Sequence, residues 1–274
     1  MSELVFLKLG GSLITDKTRP YTPRLDKLAD LAAQIGAALS ATSGPRLVLG
    51  HGSGSFGHSA AKEYGTREGL SPHPPPLSQR GGEYWHGFAE VWRQAAALNR
   101  FVMDALGAAG LPVIAFPPSA GVSAHDGALA AWDLAPLRSA LAAGLLPVIY
   151  GDVAFDRQRG GTILSTEDLF IYLAGQLHPA RILLAGLEAG VWEDYPARKR
   201  LGAEITPRNF AGFRVRLDGA AGADVTGGML SKVEQMLTLV QTMRGLQVRI
   251  FSAEEPGNLE RVLRGEALGT LISA

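Results

Sequence analysis

The feature that most constrains this chain is a steady alternation of short apolar runs with longer amphipathic stretches, from one end to the other. The runs predict strands at Leu4–Leu9, Arg46–Leu49, Pro112–Phe116, Pro147–Tyr150, Arg181–Ala185, Gln247–Phe251 and Thr270–Ile272. The stretches between them predict helices at Arg24–Leu39, Gly82–Ala108, Leu129–Ala142, Thr166–Leu177, Gly228–Arg244 and Asn258–Leu263. Several strands are almost wholly apolar, as strands of a parallel sheet covered on both faces must be. The alternation therefore predicts an α/β fold, an open αβα sandwich with a mainly parallel central sheet.

Two segments break the rhythm. Ser71–Pro76 reads Ser-Pro-His-Pro-Pro-Pro and predicts an extended loop, because each proline restricts the residue before it. Asp194–Gly222 is rich in charge, glycine and proline, and predicts a long loop or hairpin excursion. With 274 residues the chain is long enough for a sizeable core. It is expected to form a single domain over 1–274, with one lobe at 1–178 and a second at 179–274.

Lys plus Arg and Asp plus Glu both number 26, which gives no support for a nucleic-acid or anionic-membrane partner. The absence of cysteine excludes disulfides, thiolate metal sites and a cysteine nucleophile. No run approaches the roughly 18–20 apolar residues needed to span a bilayer. The opening residues show no basic segment followed by an apolar one, so the expected location is cytoplasmic.

Chemistry is concentrated in glycine-rich turns. The chain has six lysines and twenty arginines, and Lys8, Lys17 and Lys232 all lie beside such turns. A lysine is a compact point charge on a flexible stem and suits a moving phosphoryl group, whereas arginine suits a fixed bidentate clamp. Lys8-Leu9-Gly10-Gly11-Ser12 closes the first strand, with two glycines that let a backbone approach an anion. The pattern GxxxxGK[ST] is absent. His51-Gly52-Ser53-Gly54-Ser55-Phe56-Gly57-His58 follows the second strand. It contains G-x-G-x-x-G, but the acidic residue that a dinucleotide site requires would fall in the proline loop, and a NAD-dependent dehydrogenase is disfavoured. As a phosphate cradle the segment still works, ending in His58.

The third turn, Asp224-Val225-Thr226-Gly227-Gly228-Met229-Leu230-Ser231-Lys232, runs into an amphipathic helix. Thr226 is a good N-cap, and Lys232 shares a helix side with Gly228 by i, i+4 spacing. Gly151-Asp152-Val153 ends another strand, and Ser165-Thr166-Glu167-Asp168 opens a helix. Asp152 is open to three readings: a residue that orients the lysines, a Mg²⁺ ligand, or a turn-forming aspartate.

In order and spacing, these turns resemble those of the isopentenyl phosphate kinases, within the amino acid kinase superfamily. The resemblance covers nearly the whole chain, and the turn ending in Phe-Gly-His is otherwise shared mainly with fosfomycin kinases. It implies a homodimer that uses ATP and Mg²⁺ to convert isopentenyl phosphate to isopentenyl diphosphate. By that resemblance Lys8, Lys17 and Lys232 neutralise phosphates, and Asp152 organises the lysines. Gly10, Gly11, Ser12, Gly54, Leu187, Thr226, Gly227 and Gly228 would line the ATP site. Gly52, Ser53, Gly54, His58, Gly151 and Thr166 would hold the acceptor phosphate. The lobe at 1–178 would bind the acceptor and the lobe at 179–274 the nucleotide. Three positions depart from the family pattern: Ser53 and Thr166 stand where relatives usually have glycine, and Gly186-Leu187-Glu188-Ala189-Gly190-Val191 replaces a Thr-Asp-x-Asp-Gly-Val pattern.

A phosphate monoester is largely a dianion at neutral pH and is already a nucleophile, so the reaction needs positioning and charge neutralisation and no carboxylate base. The acceptor's hydrocarbon tail needs an apolar slot. Tyr84, Phe88 and Trp92 form one helical stripe and Val91 and Ala95 another. Phe88, Val91 and Ala95, with Val153 and Ile163, are the candidate lining. Rival readings are a fosfomycin or related phosphonate kinase and a nucleotide-binding regulator without turnover.

Overall fold

The computed structural model describes residues 2–41, 44–57, 66, 69, 81–218 and 228–274. The strands in chain order are β1 (Leu4–Leu9), β2 (Arg46–His51), β3 (Val113–Ala115), β4 (Val122–His125), β5 (Ala128–Trp132), β6 (Leu146–Tyr150), β7 (Asp152–Asp156), β8 (Gly160–Leu164), β9 (Arg181–Gly186), β10 (Glu204–Ile205), β11 (Gln247–Ser252) and β12 (Thr270–Ile272). The helices are α1 (Gly11–Ile14), α2 (Leu25–Leu39), α3 (Gly81–Ala108), α4 (Pro118–Gly121), α5 (Ala135–Ala142), α6 (Thr166–Leu177), α7 (Phe210–Asp218), α8 (Gly228–Thr242) and α9 (Asn258–Leu263).

Eight strands form the main sheet in the order β10-β12-β11-β9-β1-β2-β6-β3, parallel except where β11 meets β12. All six residues of β1 are buried, and they alternate between two cores. Phe6 enters one core with Phe170 of α6 and Met236 of α8. Val5, Leu7 and Leu9 enter the other, with Leu31 of α2, Leu98 of α3 and Val262 of α9. Helices on both faces of a mainly parallel sheet make the expected αβα sandwich.

A second, four-stranded sheet, β5-β4-β7-β8, corrects the sequence reading. The helix expected over Leu129–Ala142 is strand β5 in its first part, and α5 begins only at Ala135. Alanine-rich composition favours a helix, but Asp126 and Gly127 both have positive φ (50° and 81°), as a two-residue hairpin turn requires. The Asp156 carboxylate fixes that turn by accepting from the Asp126 and Gly127 amides at 3.1 and 2.7 Å. The segment from Asp194 is partly the expected hairpin, since Trp192 bridges Leu201 and the Glu193 amide donates to Arg200 O at 2.8 Å. It continues into β10 and α7, which the loop expectation omitted. The Ser71–Pro76 loop lies outside the described residues. No helix among the described residues is long and apolar enough to cross a membrane.

Candidate active site

The C-terminal ends of β1, β2, β6 and β9 open into one cavity of about 460 Å³. From β1 the chain goes on to β2 at one side, and β9 lies at the other. Such a switch point, at the carboxyl ends of parallel strands, is where open α/β sheets bind ligands. Lys8, Lys17 and Lys232 all line the cavity, as do the turn residues Gly10, Gly11, Ser12, Gly52, Ser53 and Gly54. Gly151, Ile163, Thr166, Leu187 and Gly228 line it too. His58, Thr226 and Gly227 lie outside the described residues.

The first two glycine turns touch through their backbones. A Cβ on Gly11 would lie 2.3 Å from the Gly54 amide nitrogen, and one on Gly54 would lie 2.6 Å from Gly11 O. Gly54 also has φ +49°, which glycine adopts without cost. Thr15 joins the two turns: its hydroxyl donates to Gly11 O at 2.7 Å and accepts from the Ser55 amide at 3.0 Å. Further anchors come from the strands, with Gly10 N–H donating to Ala185 O at 2.8 Å and Gly52 N–H to Leu9 O at 3.0 Å.

Charge is organised by a residue that sequence reasoning left unassigned. Buried Lys8 forms an ion pair with Glu167, which is also buried. Burial alone would push the Glu167 carboxyl up, but Lys8 and Lys232 together outweigh it and hold it below the usual carboxylate range. Lys8 is lowered, by burial first and by repulsion from Lys232, against the pull of Glu167. Glu167 sits one residue into α6 because Ser165 caps that helix in a reciprocal box with Asp168. The Thr166 hydroxyl donates to His51 O at 2.6 Å, fastening the helix start to the end of β2.

Asp152, which the resemblance makes the organiser of the lysines, stands apart from the cavity that they line. It is fully buried at the start of β7 and does not line the cavity. One carboxylate oxygen accepts from its neighbour's amide, that of Val153, at 2.8 Å. Burial raises its pKa to about 7, with Ser119 and the Val153 amide working in the opposite direction. Among the described residues, the acid paired with a cavity lysine is Glu167. An acid in the first turn of a helix is so common that nothing singled it out.

Of the tail-pocket candidates, only Ile163 reaches the cavity. Phe88, Val91 and Val153 pack with Tyr84 into a separate small cluster, with Ile163 lying against it. Ala95 is buried outside that cluster. Trp92 leaves the stripe and is 47% exposed, because eight positions advance a helix about 80° beyond two full turns.

At the β9 end the wall is aromatic and charged. Glu188 accepts from the Trp192 indole N–H at 2.8 Å and pairs with Arg198 at 3.3 Å. The Arg198 guanidinium in turn lies 5.6 Å from the centre of the Tyr195 ring. These four cavity residues come from the departed pattern and the hairpin after it. Their aromatic and arginine content was the available signal.

Among the described residues no group of His, Cys, Asp or Glu is arranged to hold a metal ion. Among the described residues two acids line the cavity, Glu167 paired with Lys8 and Glu188 bound to Trp192 and Arg198.

The profile of the amino acid kinase family matches residues 3–252. An isopentenyl phosphate kinase of Methanothermobacter thermautotrophicus is 35% identical over 98% of this chain and 99% of its own length. One of Haloferax volcanii is 37% identical, over 98% of each chain. A solved structure of an isopentenyl phosphate kinase superimposes with a TM-score of 0.82 at 32% identity, covering 98% of this chain and all of the other.

Proposed function

The chain belongs to the amino acid kinase family, beside its isopentenyl phosphate kinases, and from that premise we propose the chemistry of its cavity. It is a phosphotransferase that moves the γ-phosphoryl group of ATP onto isopentenyl phosphate, giving isopentenyl diphosphate and ADP. An oxygen of the acceptor phosphate forms the new bond to the γ-phosphorus. The bond from that phosphorus to the β–γ bridging oxygen breaks, and its electron pair leaves with ADP.

The observation that carries this reading is the backbone contact between Gly11 and Gly54 inside a cavity lined by three lysines. Two phosphate cradles in contact hold donor and acceptor phosphates side by side. Alignment, the larger part of such a reaction's difficulty, is then built into the fold. Gly10, Gly11, Ser12 and the start of α8 at Gly228 take the nucleotide phosphates, and Gly52, Ser53 and Gly54 take the acceptor phosphate. Lys8 and Lys232, held about Glu167, spread positive charge along the transfer path, and Lys17 approaches from the open side. His58 joins the acceptor phosphate on the strength of the resemblance. So do Gly151 and Thr166, and Thr226 and Gly227 join the nucleotide side.

Magnesium would come as part of the nucleotide substrate and would supply charge neutralisation at its phosphates, as suits an ion commonly bound through substrate phosphates. No protein residue is assigned to it. The tail rests on Ile163, backed by Phe88, Val91 and Val153, with Ala95 further along α3. The lobes at 1–178 and 179–274 serve acceptor and nucleotide respectively, and the working form is a homodimer in the cytoplasm.

ADP release with Mg-ATP tests the proposal, comparing isopentenyl phosphate, dimethylallyl phosphate, fosfomycin and no acceptor. Turnover on the prenyl phosphates that His58→Ala abolishes is the expected result. Turnover on fosfomycin alone assigns the cavity to a phosphonate acceptor, and nucleotide binding without any turnover makes the chain a regulator.

A further inference from the structure

His51 lies just before the acceptor turn, 1% exposed, and does not line the cavity. Its ring stacks on Tyr150, centroids 5.2 Å apart and planes 12° from parallel. Nδ1 is 3.2 Å from the carbonyl oxygen of Gly52, and Nε2 is 3.2 Å from the carboxamide oxygen of Asn99 on α3. Both ring nitrogens thus face an oxygen, and burial lowers the pKa to about 4, so the ring is neutral and has one N–H to give.

The two oxygens are not equivalent. A peptide carbonyl can only accept, whereas a carboxamide can turn over and present its NH₂ in the same place. Only one arrangement leaves no acceptor facing an acceptor: Nδ1–H donates to Gly52 O, and Asn99 donates to Nε2. The Gly52 carbonyl belongs to the same rigid plane as the Ser53 N–H, and the two point in opposite directions. Holding the carbonyl toward the buried ring turns the Ser53 N–H away from it, and Ser53 lines the cavity. That N–H donates to no backbone carbonyl among the described residues.

We propose that His51 is a positioning residue that, through an Nδ1–H bond to Gly52 O, locks the Gly52–Ser53 peptide with its N–H aimed at the acceptor phosphate. This rests on the kinase reading of the cavity, because a phosphate must sit at that turn for the locked N–H to matter. The ring touches no reacting atom. It fixes one donor of the anion cradle and, through Asn99, ties that donor to the helix behind the turn.

Two measurements test it. Long-range ¹H–¹⁵N spectra of the native chain, with the His51 signals assigned by their loss in His51→Gln, report which nitrogen carries the proton. Nδ1–H is expected, and a neutral ring with its proton on Nε2 overturns the proposal whether or not the protein turns over any acceptor. Kinetics supply the second test. Asn places its NH₂ near the Nδ1 position of histidine, and Gln near the Nε2 position. His51→Asn should keep the KM for the prenyl phosphate within about threefold. His51→Gln should raise it about tenfold, as loss of one hydrogen bond to a charged group would, with the KM for ATP little changed. Equal damage by both variants, or a rise in both KM values together, means that the ring is merely structural and overturns the proposal. If the native chain shows no turnover, the kinase reading fails on its own, and the tautomer still decides whether the peptide is locked.

Discussion

Glu167 lies between two cationic side chains, and its removal leaves them facing each other. Glu167→Gln keeps the shape and removes the charge, so the repulsion between Lys8 and Lys232 loses the carboxylate that offsets it most. Turnover should fall about a hundredfold, on the scale of losing one electrostatic stabiliser of a transition state. Stability should fall by about 3 kcal/mol, as when a buried pair is broken. Asp152→Asn is the contrast. The native side chain lies outside the cavity, with its pKa raised by burial to about 7, so turnover should stay within about threefold of native. Steady-state kinetics on the two variants side by side check both expectations. Ile163 carries a different one. Trimming it to alanine deepens the cavity toward Phe88 and Val91, and should shift kcat/KM toward longer prenyl phosphates by about tenfold. An unchanged preference would remove Ile163 from the tail's path.

Strand β7 begins and ends with an aspartate, and the two respond to pH in opposite senses. Asp152 has a folded-state pKa raised to about 7, against about 4 in the unfolded chain. Its penalty is absent below about pH 4 and grows as pH rises toward 7, because only the unfolded chain releases the proton freely. Asp156 has a lowered pKa: burial alone would raise it, but the amides of Arg159, Gly127, Gln158 and Asp126 donate to its charged form. Its contribution is present above the unfolded value of about 4 and is lost as pH falls through the lower folded value. Thermal melts from pH 3 to 7 separate them. Asp152→Asn should gain on the native chain as pH rises from 4 to 7. Asp156→Asn should be less stable at pH 7 by about 1–3 kcal/mol, with the gap closing below pH 4.

The same element explains what the sequence could not reveal. The main-sheet strands are legible because both faces are covered and their runs are almost continuously apolar, as in Leu4–Leu9. The small sheet has no such signature: β7 carries buried charge at both ends, β8 opens on Gly160-Gly161, and β5 is alanine-rich. Only the Asp126-Gly127 dipeptide marks it, and its positive φ values confirm that the turn signal outranks the helix propensity beside it. In the site, Lys8 and Lys232 were legible because each lies near a double glycine in a chain that otherwise prefers arginine. Glu167 was not, since its meaning depends on Lys8, brought to it by the fold from a strand far back in the chain.

At the scale of the molecule, β1 pairs with β2 on one side and with β9 on the other, so the central strand is common to both proposed lobes. Each of the two cores also takes residues from both sides of residue 178, Phe6 with Met236 in one and Leu31 with Val262 in the other. A chain built this way should unfold as a unit. Circular dichroism, tryptophan emission and calorimetry are expected to give one coincident transition, and the segment 179–274 expressed alone should not fold. Two resolved transitions would mean that the lobes are separable domains. Arg24 strengthens the expectation by pairing with Glu254 across 230 positions of sequence.

The contact between Gly11 and Gly54 limits how this protein can be re-engineered. Where two side chains meet, a larger group on one can be offset by a smaller group on the other, and a library can move through such pairs. Here main chain meets main chain, so neither partner has anything left to give up. A search for variants that accept other phosphates can randomise the walls around Ile163, or the hairpin that carries Tyr195 and Arg198, and should leave these two positions untouched.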